Sequence, residues 1–538
     1  MHHLFPRIGV AATFALLAAC GTSTPTSTTS TFTSRGTLAV DPPLRIASLN
    51  AATFAAELAA SSTGAQLLTL TGAPACGVDF YYVKFWTVGG ANEPTESSGA
   101  LMVPTGAAPA CSGPRPIVLY AHGTDTDQAT NIADITNPSN TEGALIAAAF
   151  AAQGYIVVAP NYAGYDISTL GYHPYLNAVQ NADEMQDILA AARTALPDTL
   201  SSSTSDNGKL FVTGYSEGGY VAMATERALQ AAGTPVTAAA PMSGPYALEA
   251  FADTILFGGV DLGSTVFAPL LTTSYQQAYQ NVYTKTTDVY SAQYANGIAT
   301  LLPSLTPIDT IFEDGQLPET ALFDSSTPTV AQYPTLPQNL AAALAVPSNP
   351  ESPFTPLFDL GFGTSYLITN DYRVSYAINA ATFVDGAGPL APSGSPPDPA
   401  VIPAKIPSQT LAPAFTFRQD LNKNDLRNPA WTPASPTLLC GGDQDPTVFY
   451  AVNTGTMLSF WTGVASVFSV DLAASPSGEY AELQGAFQAS QAALLAYYQT
   501  AAGGGLTLAQ AEAQVAQGTH AAEAPFCTVA ARSFFSQF

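Results

Sequence analysis

Six stretches of the chain are predominantly apolar and end in polar or glycine-rich residues: Pro116–His122, Tyr155–Pro160, Lys209–Thr213, Val236–Met242, Pro436–Gly442 and Val464–Leu472. Runs this short, with both alternating sets of side chains apolar, predict strands buried on both faces. Between and after them, Glu142–Gln153, Leu176–Leu196, Gly219–Gln230, Glu479–Thr500 and Leu508–Gln517 have helical spacing, with acidic residues on the outer face of Leu176–Leu196. Strand and helix alternate across short links, which predicts an α/β fold with a mostly parallel sheet and helices on both faces. Upstream, the β-branched and aromatic runs Phe80–Val88 and Gly99–Val103 predict an opening antiparallel pair. Asp41–Gly72 reads as a peripheral helix and loop, with the helix over Leu49–Ala60.

The alternation stops at Gly244-Pro245 and resumes near Trp431. The roughly 185 residues between lack buried-strand signals, carry many prolines and predict a large, mainly helical inserted cap. In one helix candidate Tyr275, Tyr279 and Tyr283 recur every four residues, with Tyr290 and Tyr294 following in phase; such a stripe is more often packing than substrate contact. The expected organisation is a leader over 1–20, a tether over 21–40, a core over 41–245, the cap over 246–430 and the rest of the core over 431–538.

Composition narrows the partners. Hydrophobic residues make up 47% of the 538 and charged ones 10%, with a net charge of −25. Only 15 Lys and Arg are present, which argues against a nucleic-acid partner. Arg7 precedes the apolar run Ile8–Ala19, too short to span a bilayer and typical of a signal peptide. The run ends in Leu17-Ala18-Ala19-Cys20-Gly21, which is similar to a bacterial lipobox and implies lipidation of Cys20; a plain secretory signal is the alternative. The Ser/Thr-rich stretch Thr22–Gly36 then reads as a flexible tether, and the expected location is the cell envelope, at the outer membrane if there is one, or outside the cell. The remaining Cys76, Cys111, Cys440 and Cys527 predict two disulfides in an exported protein. Of the three possible pairings, Cys76–Cys111 with Cys440–Cys527 is favoured.

The candidate chemistry centres on Gly214-Tyr215-Ser216-Glu217-Gly218, a G-x-S-x-G pentapeptide between a predicted strand and a predicted helix. In that setting a sharp turn exposes a serine hydroxyl at the top of a sheet, and the first helical N–H groups face an oxygen that becomes negative. Such a serine needs an imidazole to take its proton and a carboxylate to orient the imidazole. Of five histidines, His2 and His3 fall in the leader, His122 follows a central strand and His173 reads as a structural hydrogen-bonder. His520, in a loop after the last helix candidate, remains. Asp445 is the expected acid, as the later carboxylate in the loop Gly442…Asp445…Val448, with Asp443 as runner-up. The oxyanion hole is expected from the N–H groups of Glu217 and Thr124, with Asp125 as alternative to Thr124. No His/Cys cluster has metal-ligand spacing, and neither metal nor cofactor is expected.

Tyr120-Ala121-His122-Gly123-Thr124, Gly171–Leu176, Gly214–Gly219 and Pro436–Val448 together resemble the bacterial branch of the secretory lipase/esterase family of α/β-hydrolases. The order Ser216…Asp445…His520 is that of this fold. The resemblance covers about Phe80–Gly244 and Trp431–His520, and implies a canopy of about eight strands, a cap over the site and hydrolysis of carboxylic esters. With a mainly neutral, apolar and aromatic cap, the expected substrate is a small-molecule or lipid ester with an apolar acyl or alcohol group. A serine peptidase of the same fold is the alternative reading, and a non-catalytic surface binding protein a more distant one. Two departures stand out. Glu217 follows the serine where relatives often carry a small residue, and roughly 47 residues separate the last strand from His520. A Cys440–Cys527 bond would tie that connection down.

Overall fold

The computed structural model describes residues 34–199, 204–349, 352–383, 386–399, 402, 416–427, 429–500 and 505–538. The leader, Cys20 and the tether up to residue 33 lie outside the described residues. Nine strands form one sheet: β1 (Leu44–Leu49), β2 (Gly77–Val88), β3 (Pro94–Thr105), β4 (Gly113–Ala121), β5 (Ile156–Pro160), β6 (Thr204–Tyr215), β7 (Ala238–Met242), β8 (Thr437–Gly441) and β9 (Val467–Asp471). Their order is β1-β2-β3-β5-β4-β6-β7-β8-β9, antiparallel from β1 through β5 by way of β3 and parallel from β5 to β9.

The continuous apolar runs are explained by two buried faces. In β4, Ile117, Leu119 and Ala121 enter a core shared with α4 (Ala178–Thr199) and α5 (Glu217–Ala231). Val118 and Tyr120 enter a second core with α3 (Thr141–Ala149) and α11 (Leu508–Phe535). Period-two alternation thus serves both layers, and no position is left for polar side chains.

Three expectations are corrected at the ends of the chain. Asp41–Gly72 contributes strand β1 besides α1 (Ala51–Ala59) and α2 (Ser62–Thr71), so the sheet has nine strands rather than eight. Half-exposed β1 carries no apolar alternation, and its pairing with β2 comes from backbone hydrogen bonds. The end of the presumed tether packs on the body: Arg35 bonds Asp187 and Asp183, and Gly36 N–H donates to Trp86 O at 2.8 Å. Finally, His520 lies within α11, not in a loop; the helix continues through Pro525. The long connection before it is filled by α10 (Ala481–Thr500), which packs against α11.

The described part of the segment between β7 and β8 carries the helices α6 (Leu248–Leu256), α7 (Ser264–Tyr279), α8 (Asn370–Thr382) and α9 (Thr416–Asn424) as its main elements, joined by long irregular stretches and a short parallel pairing of Phe323–Asp324 with Phe362–Gly363. A buried ionic cluster holds three of them. Arg418 of α9 donates to both oxygens of Asp253 on α6 at 3.0 Å, lies 3.3 Å from Glu249, and Tyr376 of α8 donates to Asp253 at 2.8 Å. The tyrosine stripe is packing: Tyr275 is buried and its hydroxyl donates to Leu176 O, while α7 stops at Tyr279, leaving Tyr283 beyond it.

Both disulfides are formed with the favoured pairing, Cys76–Cys111 and Cys440–Cys527. Cys440 lies on the face of β8 turned to α11, so the second bond joins sheet and helix across an 87-residue separation. Loop closure of that size constrains the unfolded chain, and Cys527→Ser is expected to lower unfolding free energy by about 2–4 kcal/mol. Denaturant titration measures this; an unchanged midpoint for the variant would contradict it.

Candidate active site

Ser216 sits between β6 and α5 with φ 60° and ψ −125°, a conformation that costs an L-residue energy and is kept only because its surroundings leave no other. Its N–H donates to Met242 O of β7 at 3.0 Å. The flanking glycines are required by contact. A Cβ at Gly218 would stand 2.0 Å from Ala121 O, and one at Gly214 2.3 Å from Gly218 O. Helix α5 can therefore start against the end of β4 only without those side chains.

Three distant segments meet at this turn. His520 Nε2 lies 2.9 Å from Ser216 Oγ, and its Nδ1 lies 2.6 Å from Asp445 Oδ2. Asp445 is fully buried, and its Oδ1 accepts from Thr447 N–H at 2.8 Å and Val448 N–H at 3.1 Å. Asp443 is exposed and takes no part. The His520 backbone is further held by Tyr215, which donates its hydroxyl to the His520 carbonyl at 2.5 Å, and the two rings lie 5.0 Å apart.

The loop after β4 runs against the nucleophile, with a Cβ at Gly123 falling 3.6 Å from Ser216 Cβ. His122 fixes its course, stacking on Tyr162 at 4.1 Å, with Nδ1 2.7 Å from Gly123 O and Nε2 3.2 Å from Asn161 O. Glu142, which carries no signal in the sequence, accepts from Gly123 N–H at 3.1 and 3.2 Å and from Tyr120 at 2.7 Å. Burial pushes the Glu142 carboxyl up despite those donors. Thr124 Oγ1 is 3.0 Å from the Tyr175 hydroxyl, and the Asp125 carboxylate is taken up by Thr130 Oγ1 and Asp127 N–H.

A cavity of about 90 Å³ is lined by Ser216 and Glu217 together with residues of the inserted helices. Leu248, Phe251, Leu256, Phe267, Leu271 and Phe417 give it an almost wholly apolar wall. Among the described residues, no group of three or more His, Cys, Asp or Glu is arranged to hold a metal ion.

Glu217 turns away from the expected conflict. Its side chain is buried, and Oε1 lies 2.6 Å from His173 Nε2, whose Nδ1 is 3.0 Å from Ala163 O. Burial alone lowers the His173 pKa, but the charge and hydrogen bond of Glu217 outweigh it, and the net shift is upward. A raised histidine pKa stabilises the fold fully below the unfolded value, about 6.5, and that share is lost as pH rises through the folded value. The stability advantage of the wild type over His173→Asn should therefore be largest below about pH 6 and shrink as pH rises into the alkaline range. Urea unfolding across that range measures it, and a constant difference would contradict the ion pair.

Residues 143–247, which include the serine turn, match the prolyl oligopeptidase family (Peptidase S9). No curated protein matches the chain. The rice cell wall degrading esterase LipA from Xanthomonas oryzae is similar in structure, with 25% identity over 82% of this chain and 91% of that one and a TM-score of 0.58. Its ligand-bound form shares 23% identity over 94% and 100%, with a TM-score of 0.62. A putative hydrolase from Legionella pneumophila has the same fold, at 18% identity over 92% and 96% and a TM-score of 0.57. Sheet order, the serine turn between β6 and α5 and these likenesses show that the chain has the α/β-hydrolase fold, and they support a serine hydrolase.

Proposed function

We propose that this protein hydrolyses carboxylic esters with an apolar acyl or alcohol group through an acyl-enzyme on Ser216. The observation that carries the reading is the unbroken chain Ser216 Oγ to His520 Nε2 and His520 Nδ1 to Asp445 Oδ2, at 2.9 and 2.6 Å, with Ser216 lining an apolar cavity. Ser216 Oγ attacks the ester carbonyl while His520 Nε2 takes its proton, and Asp445 stabilises the imidazolium. The developing oxyanion is met by the N–H of Glu217, the first residue of α5, and by that of Thr124. Thr124 is the donor because the Gly123 N–H is already given to Glu142. Collapse breaks the ester bond, and His520 returns the proton to the alcohol oxygen. Water, deprotonated by His520, then attacks the acyl-enzyme and releases the acid and Ser216. Pairing Glu217 with His173 keeps its side chain from competing for the oxyanion site.

The ester reading draws on the apolar wall and on the likeness to a protein named an esterase. Cleavage of peptides is the second reading, favoured by the prolyl oligopeptidase match over residues 143–247. The two disulfides suit an oxidising compartment outside the cytoplasm, and lipidation of Cys20 would hold the enzyme at a membrane surface there. p-Nitrophenyl esters of increasing acyl length, tested beside peptide p-nitroanilides, decide between ester and peptide. Ester turnover should exceed peptide turnover, and Ser216→Ala should lower kcat by roughly 10⁴-fold or more. Ester hydrolysis retained in Ser216→Ala, or faster peptide cleavage, would contradict the proposal.

A further inference from the structure

Behind Asp445 lies a second buried carboxyl that the mechanism above does not use. Ser243 Oγ is 3.2 Å from Asp445 Oδ2 and 3.4 Å from Glu523 Oε2, and all three side chains are buried. A serine hydroxyl owns one proton and cannot donate to two carboxylates at once. The Tyr215 hydroxyl also meets Glu523, but it gives its one proton to the His520 carbonyl and so faces Glu523 as an acceptor. The other groups facing Glu523 are Asp445, beyond β8, Asp471, at the end of β9, and the Tyr450 hydroxyl; its own helix carries His520 three residues earlier. None of these is a lysine or arginine. Two ionised acids on a single hydroxyl would leave Glu523 a buried charge with at most one donor, an arrangement that proteins avoid by keeping the proton. Burial, and then the charges of Asp445 and Asp471, push the Glu523 carboxyl well above its usual range, in the same direction.

The local backbone is shaped around this contact. Ser243 is held at φ 44°, left-handed for a residue that is not glycine. At Gly442, where the chain leaves β8 for Asp445, a Cβ would stand 2.0 Å from Glu523 Oε1. A strained serine and a bare glycine thus border the place where the two acids share one hydroxyl.

Resting on the ester-hydrolase reading, we propose that Glu523 is a positioning residue, a protonated carboxylic acid that holds Asp445 in place through the Ser243 hydroxyl. Glu523 donates to Ser243 Oγ, Ser243 donates to Asp445 Oδ2, and His520 Nδ1–H donates to the same oxygen. Asp445 then has four donors, counting Thr447 and Val448 N–H, and the acid pair carries one negative charge instead of two. When Glu523 ionises at alkaline pH, Ser243 is drawn away and a second charge appears beside the first, so turnover falls with no change in Ser216 itself.

The test is kcat and KM for p-nitrophenyl ester hydrolysis against pH in wild type, Glu523→Ala, Glu523→Gln and Ser216→Ala. Difference infrared spectra of wild type against Glu523→Gln read the protonated carboxylic carbonyl directly. Glu523→Ala removes the group that orients the Ser243 hydroxyl toward the charged Asp445, and weakening of that bond predicts a kcat roughly 10- to 100-fold lower with little change in KM. Glu523→Gln, which keeps a donor but has no proton to lose, should recover most of that rate and lack the wild-type alkaline fall. A carboxylic-acid band present at neutral pH in wild type and missing in Glu523→Gln is expected whether or not the alanine variant folds. Absence of that band, or a Glu523→Gln profile that falls as the wild type does, would overturn the proposal. Ester turnover surviving in Ser216→Ala would instead defeat the ester-hydrolase reading, while the infrared result would still decide the protonation of Glu523.

Discussion

A carboxylate cut off from water must find its partners inside the protein, and Asp445 draws them from three separate parts of the chain. Thr447 and Val448 supply backbone N–H groups from its own loop, Ser243 a hydroxyl from the end of β7, and His520 a ring N–H from α11. Losing any one leaves a buried acceptor short of a donor, so the sheet, the loop and the helix are held to one arrangement. That arrangement also sets His520 Nε2 against Ser216. The Cys440–Cys527 bond lies in the same neighbourhood and fixes α11 to β8 where strain from a misplaced helix would be felt first.

The opposite side of the serine turn obeys a different constraint, close approach of backbone to backbone. Gly214 and Gly218 let α5 begin against Ala121, which brings the β4 loop within reach of Ser216. His122, Tyr162 and Glu142 then hold that loop by stacking and hydrogen bonds. The inserted helices enter last: they supply the apolar wall of the cavity and are held together through Arg418, Asp253 and Glu249.

Much of this was legible in the sequence because it depends on local pattern. Strands buried on both faces announce themselves as short apolar runs, and the serine turn carries its own glycines. Five histidines, two of them in the expected leader, left few candidates, and His520 Nε2 lies 2.9 Å from Ser216 Oγ. What escaped depends on partners far along the chain. Strand β1 exists because β2 offers it hydrogen bonds, not because its side chains alternate. The last helix was expected to end at Gln517, before His520, yet α11 packs against β8, is tied to it by the disulfide and runs on through Gly518 and Pro525. Glu217 was inexplicable without His173, 44 positions away, and the contact of Ser243 with Glu523 spans 280.

The most direct test of the central claim, that Ser216 is a nucleophile activated by His520, is reaction with a phosphonylating reagent followed by mass spectrometry of the intact protein and its peptides. One equivalent should bind, on the peptide containing Gly214–Gly219, and His520→Ala should slow labelling by roughly 10³-fold or more. Labelling at another residue, or an unchanged rate in His520→Ala, would contradict the account.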